Sequence, residues 1–133
     1  RDLHSTSRRQ RQMCIRDRVY PYIAKSDNLI YISKILYGGY DTPMKTMLER
    51  AIPIQKAFIR ILNGETHHVQ RSVELKNATI IAYGEIGTEE KEIFKALVER
   101  NAKNMNFKHY KILFTNEQNL EKTVKTEMIK WSE

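Results

Sequence analysis

The spacing of apolar residues after residue 40 predicts a helix. Asp41 and Thr42 are residue types that cap helix amino termini, and Pro43 fits the first helical position. Apolar positions then recur every three or four residues, at Met44, Met47, Leu48, Ala51, Phe58 and Leu62. Pro53 should kink this helix or divide it in two, and Asn63-Gly64 supplies a left-handed stop.

Segments with the composition or alternation of β-strands surround this helix. They are Leu29–Tyr37, residues 66–75, Ala78–Ile86 and Phe107–Thr115. Lys34 breaks the alternation of the first segment, so a short helix that is capped by Ser26 and ends at Gly38 stays open there. Residues 66–75 alternate clearly, and the short link Lys76-Asn77 predicts a hairpin to the next strand.

Two more helices follow, and residues 19–28 are expected to be irregular because they contain a proline and a Ser-Asp-Asn cluster. Thr88 is expected to cap a helix with two glutamates in its first turn. Its predicted buried stripe is Ile93, Phe94, Leu97, Val98, Ala102 and Met105. Thr115 and Gln118 suggest a capping box for a last helix, which presents Leu120, Val124, Met128 and Trp131.

The order of these elements predicts an α+β fold. We expect a two-layer sandwich with a mainly antiparallel sheet of three to four strands and two helices, in the ferredoxin-like βαββαβ order, plus a C-terminal helix. If the Leu29–Tyr37 segment is helical, the sheet has three strands and the ferredoxin-like order fails.

Residues 1–18 differ in composition from the rest of the chain. They contain six arginines and no lysine, whereas residues 19–133 contain many lysines and only four arginines. The stretch from Gln12 to Arg18 resembles the conceptual translation of a transposase-end adapter used in sequencing libraries. Residues 1–18 are therefore expected to be a non-native or disordered basic segment, and residues 19–133 a single α+β domain.

The net charge of +7 first suggests a nucleic-acid partner. Residues 1–18 contribute 6 − 2 = +4 of it, and residues 19–133 only 17 − 14 = +3, so this support is weak. The only cysteine, Cys14, excludes an intrachain disulfide and a cysteine zinc cluster. No apolar run approaches the length of a membrane helix, so a cytoplasmic protein without a membrane partner is expected.

A binding or assembly module is the leading functional hypothesis. Five of the seven tyrosines lie between residues 20 and 40, with lysines among them, and tyrosine suits half-buried interfaces. An open sheet face would hold a protein, a second subunit or, with less support, a nucleic acid, and no cofactor is expected. The candidate binding residues are Tyr31, Lys34, Tyr37, His68, Gln70, Tyr83 and His109.

The alternative is a metal-dependent nuclease or phosphodiesterase. Glu74-x-Lys76 has the form in which a carboxylate holds Mg²⁺ and a lysine positions the attacking water. Such a site needs a second acidic residue on the neighbouring strand, and Glu65 is a poor substitute for it. His67 and His68 would point to opposite faces of a strand, so they predict no joint metal site.

Overall fold

The computed structural model describes residues 19–51, 59–62, 64–68 and 75–131. In chain order the elements are α1 (residues 19–25), β1 (Asn28–Leu36), β2 (Gly39–Tyr40), α2 (Thr42–Arg50), β3 (Ile59–Leu62), β4 (Glu65–His68), β5 (Lys76–Tyr83), α3 (Thr88–Met105), β6 (Phe107–Thr115) and α4 (Leu120–Lys130). The chain is therefore α+β, as its sequence predicts. The predicted foreign segment, residues 1–18, lies outside the described residues.

A mixed sheet has the strand order β2-β1-β5-β6, and its strands β1, β5 and β6 run parallel. β1 pairs in parallel with β5, from Asn28 opposite Asn77 to Lys34 opposite Tyr83. β5 in turn pairs in parallel with β6, and Tyr83 lies opposite Thr115. β2 is antiparallel to β1. The prediction of a mainly antiparallel sheet is wrong, and neither the ferredoxin-like order nor the two-layer sandwich is confirmed.

The predicted hairpin at Lys76-Asn77 is also wrong, because both residues belong to β5. Parallel neighbours cannot be joined by a tight turn and need a crossover connection. The segment from β2 to β4, with α2 in it, separates β1 from β5 in the chain, and α3 separates β5 from β6. Alternation within each strand is insensitive to this difference, so it could not reveal the parallel pairing.

The hydrophobic core lies on one face of this sheet. Exposure alternates along β1, where Leu29, Tyr31, Ser33 and Ile35 are buried, and this confirms the strand for the segment that could also have been helical. Buried residues of β5 and α3 complete the cluster, namely Ala78, Ile80, Ala82, Phe94 and Val98. The apolar stripe predicted for α3 therefore packs on the sheet, with Phe94 completely buried.

Helix α4 lies on the opposite face. Thr123 donates a hydrogen bond to the hydroxyl of Thr115 in β6, over 3.2 Å. Lys111 of β6 forms an ion pair with Glu127, which is itself almost fully buried. Thr79 and Ile81 of β5 point to this same face and are buried. Helices thus pack on both sides of the sheet.

The helix predicted between Asp41 and Gly64 ends early. α2 stops at Arg50, and Ile59–Leu62 is a strand that pairs antiparallel with Glu65–His68. Gly64 has a φ of +80°, which suits the reversal of the chain between these strands. Asn-Gly is the preferred pair for a two-residue hairpin turn as well as a helix stop, and Leu62 and Glu65, on either side of this pair, are register partners. Of the alternating segment predicted at residues 66–75, only residues 66–68 and 75 are described.

Residues 19–25, expected to be irregular, form helix α1 instead. Ser26 closes its carboxyl end, because the backbone N–H and the hydroxyl of Ser26 both bond to the carbonyl oxygen of Tyr22. Pro21 lies near the start of the described helix, where a missing N–H is tolerated. Ile23 from this helix joins the core.

The caps of the last two helices differ in detail from the predictions. The amino-terminal cap of α3 is Gly87 rather than Thr88, and the backbone N–H of Gly87 donates a hydrogen bond to the carboxylate of Glu90. At α4 the predicted Thr115–Gln118 capping box is wrong, because Thr115 ends β6. Asn116 instead accepts a hydrogen bond from the backbone of Asn119, the residue before the helix.

Candidate functional site

The three parallel strands end side by side, and the border of the sheet formed by their carboxyl ends is called here the carboxyl edge. It consists of the turn at residues 37–38, the loop at residues 84–87 and the loop at residues 116–119. In open sheets with parallel strands, ligands bind outside the carboxyl ends of the strands. A ligand site is therefore expected at the carboxyl edge.

The turn between β1 and β2 holds an exposed aromatic residue in an unfavourable backbone conformation. Leu36 pairs with Gly39, so Tyr37 and Gly38 are the two central residues of a hairpin turn. Their φ angles are +52° and +74°, the pattern of a type I′ turn, in which Asn-Gly is preferred. Tyr37 is 93% exposed. Holding a tyrosine in the left-handed region costs about 1–2 kcal/mol.

Helix α3 holds this turn in place. A Cβ atom added to Gly38 would stand 2.8 Å from Cγ2 of Ile93 and 3.6 Å from the carbonyl oxygen of Glu90. The turn therefore packs directly on the first turns of α3. Its backbone is fixed, while the ring of Tyr37 extends into solvent.

A second exposed apolar residue lies against this turn. Ile93 is next to Gly38 and is 51% exposed, whereas Leu36, which is 46% exposed, lies on the face of β1 that points away from α3. We call Tyr37 and Ile93 the turn patch. Ile93 belongs to the stripe that the sequence predicts to be buried, so its half-exposure is a departure from that prediction.

An ion pair spans the carboxyl edge beside this patch. Nζ of Lys34 in β1 donates to Oε1 of Glu117, in the loop after β6, over 2.6 Å. The hydrogen bond and the charge of Glu117 raise the pKa of Lys34. Tyr83 is the register partner of Lys34 on β5, so the two candidates lie side by side. Lys34 is thereby neutralised rather than presented as a positive charge.

Acidic residues dominate the rest of this edge. Residues 84–90 contain three acidic side chains and no lysine, whereas Glu92, Glu117 and Glu121 are each paired with a lysine. Glu85 and Glu89 form no salt bridge within the described part of the chain. The carboxyl edge therefore carries negative charge on a chain whose overall charge is positive.

The other sequence-predicted candidates lie elsewhere. Tyr31 is buried in the core, where its ring contacts that of Phe107 at 6.3 Å between centroids and burial raises its pKa. His109 is exposed near the start of β6, where the parallel strands have their amino ends. His68 ends β4, while Gln70 lies outside the described residues. Lys34, Tyr37 and Tyr83 are thus the candidates that the fold brings to one edge.

Lys76 of the alternative nuclease pair has a structural contact. It is 3% exposed, and its Nζ donates to the carbonyl oxygens of Ala24 at 2.8 Å and Ser26 at 2.6 Å. This ammonium group therefore ties β5 to the end of α1. Glu74 lies outside the described residues. Among those that are described, no three histidine, cysteine or acidic side chains come together as metal ligands would.

Comparison with protein-family models, curated proteins and solved structures gives no match. No helix in the described part of the chain is long and apolar enough to cross a membrane.

The sequence did not identify Ile93 or Glu117 as part of a site. A signal for the turn was present, because Tyr37-Gly38-Gly39 follows an apolar strand and Gly-rich pairs mark hairpins. Glu117 reaches Lys34 only because β6 lies two strands away from β1 in the same sheet. That proximity depends on the parallel strand order, which alternation alone does not reveal.

Proposed function

We propose that this protein is a non-enzymatic binding module that docks another protein through the turn patch. The observation that carries the proposal is Tyr37, which is 93% exposed at a positive φ on a turn fixed by α3. Unfavourable backbone conformations persist where the surrounding fold imposes them, and they cluster at functional sites. The exposed ring contributes no stabilising contact to the fold itself. Its burial by a partner would contribute free energy to binding.

The chemistry of the patch favours a protein partner. Tyrosine is enriched among the residues that dominate interface energetics, and a rigid tyrosine loses little conformational entropy on binding. The acidic residues of the carboxyl edge would repel phosphates, so the patch is poorly suited to a nucleic acid. A second copy of the chain is one form of protein partner.

The test uses Tyr37→Asn, because asparagine is favoured in this turn and the fold should survive the change. Short random peptides displayed on phage are selected on the wild-type protein, and the binders are measured against both forms. Tyr22→Asn is the matched control, since Tyr22 is 73% exposed but lies in α1. We expect peptides that bind the wild type and Tyr22→Asn alike and bind Tyr37→Asn at least about tenfold more weakly.

Two further measurements complete the experiment. Sedimentation velocity over a wide concentration range detects self-association, which Tyr37→Asn should abolish if the partner is a second copy. Fluorescence anisotropy with labelled single-stranded and duplex DNA detects nucleic-acid binding. The proposal is wrong if no peptide distinguishes Tyr37→Asn and the wild-type chain stays monomeric, or if the chain binds DNA and Tyr37→Asn abolishes that binding.

A further inference from the structure

We infer that the segment bound by the turn patch is basic, with an apolar side chain flanked by lysine or arginine. This inference rests on the proposed function and adds the chemistry of the partner. It follows from the charges that surround the patch.

The acidic groups are adjacent to the turn and are only partly neutralised. Gly38 packs against the backbone of Glu90, so the first turn of α3, which contains Glu89, lies beside the turn that carries Tyr37. Glu85 precedes that helix in the same loop. Neither Glu85 nor Glu89 forms a salt bridge with another described residue.

The lysines at this edge have contacts of their own. Lys34 forms the ion pair with Glu117 at 2.6 Å, and Nζ of Lys91 lies 5.5 Å from the centroid of the Phe114 ring. Both positive charges are thus engaged within the fold. A partner that approaches Tyr37 therefore meets a negative rim around an apolar centre.

An apolar centre with a charged rim is the usual anatomy of a protein interface. Rim charges chiefly select the partner and accelerate its association when the potentials are complementary. A basic segment gains from this rim, whereas an acidic segment is repelled. The interaction should weaken with added salt, since exposed charges are screened over about 10 Å at 0.1 M ionic strength.

Two displayed peptide libraries test the inference. Both have a central tryptophan, and the flanking positions are drawn from Lys, Arg, Ser and Gly in one library and from Asp, Glu, Ser and Gly in the other. We expect the basic library to yield peptides that bind the wild type and lose affinity for Tyr37→Asn. The acidic library should yield none.

A pair of charge variants separates the rim from the overall charge. Glu85→Gln/Glu89→Gln should weaken binding of the selected basic peptides about tenfold at low salt and flatten the salt dependence. Asp27→Asn/Glu99→Gln changes the net charge equally but lies away from the carboxyl edge, and should leave the affinity unchanged.

The outcomes distinguish this inference from the proposed function. Peptides that depend on Tyr37 but are neutral or acidic would overturn the basic partner and leave the binding module standing. The same holds if both charge variants weaken binding equally. Absence of any Tyr37-dependent peptide from the basic, acidic and random libraries, with a monomeric chain, would overturn both.

Discussion

Gly38 lies directly against Ile93, and this contact joins the β1–β2 turn to helix α3. A Cβ atom at residue 38 would be 2.8 Å from Cγ2 of Ile93, closer than real Cβ atoms approach, and 3.0 Å from its Cβ. Gly38 also has a φ of +74°, a conformation that other residues adopt only with strain. The position of Tyr37 therefore depends on a neighbour that has to be glycine.

Gly38→Ala should lower the free energy of unfolding by about 2–3 kcal/mol. The change adds the strain of a positive φ to a steric overlap that the Ile93 side chain relieves only by moving. Urea unfolding followed by circular dichroism measures the difference. Gly39→Ala is the control, because its added Cβ would meet only the carbonyl oxygen of Leu36 at 3.6 Å. Equal stability of the two variants would contradict the packing of the turn on α3.

Tyr37→Asn should raise the free energy of unfolding by about 1 kcal/mol. Asparagine tolerates the left-handed conformation better than tyrosine, and the exposed ring contributes little to the fold. Tyr22→Asn places the same substitution in a helix, where asparagine is the poorer residue, and should be neutral or slightly destabilising. If Tyr37→Asn destabilises the protein, then the ring is supporting the fold and is not reserved for a partner.

Local patterns predicted β1, β5, β6 and α3 well, because they depend on period and composition within a single element, but β2 and β3 were not predicted. β1, β6 and α3 occur where alternation, β-branched residues and the three-and-four spacing predict them. The predicted strand order was wrong because it depended on a hairpin at Lys76-Asn77, and the pairing of two strands cannot be deduced from the pattern of either strand alone. Whether neighbouring strands are parallel depends on the connections between them, and no single strand records that.

The same reasoning explains which parts of the candidate site could be predicted. Tyr37 was chosen as a candidate because it belongs to the cluster of tyrosines between residues 20 and 40, and tyrosine suits half-buried interfaces. Tyr31 was chosen on the same criterion but packs in the core, since strand periodicity alone does not say which face is covered. Ile93 faces the turn because Gly38 leaves room for it, which is a contact between residues far apart in the sequence.

Lys76→Met should lower the free energy of unfolding by about 2 kcal/mol. The buried ammonium group donates to the carbonyl oxygens of Ala24 and Ser26, and hydrogen bonds from charged groups contribute about 1.5–3 kcal/mol. Thermal and urea unfolding measure the loss. Lys108→Met is the control, because Lys108 is an exposed lysine near the start of the edge strand β6. Unchanged stability in Lys76→Met would show that the lysine does not stabilise the fold, and would favour its role in the alternative nuclease pair.

The stability of the protein should fall in acid partly because of Glu127. Lys111 and then Lys130 lower the pKa of this carboxyl group through hydrogen bonds, and its side chain is 4% exposed. A carboxyl whose pKa is lower in the folded chain binds protons more readily when unfolded. Its contribution is therefore fully present above the pKa of an unfolded glutamate, about 4.3, and is lost as the pH falls through the lower folded value.

Glu127→Gln isolates this contribution. The variant should be about 1–2 kcal/mol less stable than the wild type at pH 7, because charge-assisted hydrogen bonds are replaced by weaker ones. The difference should shrink as the pH falls from about 5 to the lower folded pKa of Glu127, since the wild-type carboxylate is then protonated too.

Glu121→Gln is the matched control on the same helix, because its pair with Lys125 is exposed, with side chains 80% and 69% accessible. Exposed pairs of this spacing contribute about 0.3–0.5 kcal/mol, so Glu121→Gln should follow the wild-type curve closely. Parallel pH profiles for Glu127→Gln and the wild type would mean that the buried carboxylate is not held in its charged form by the two lysines.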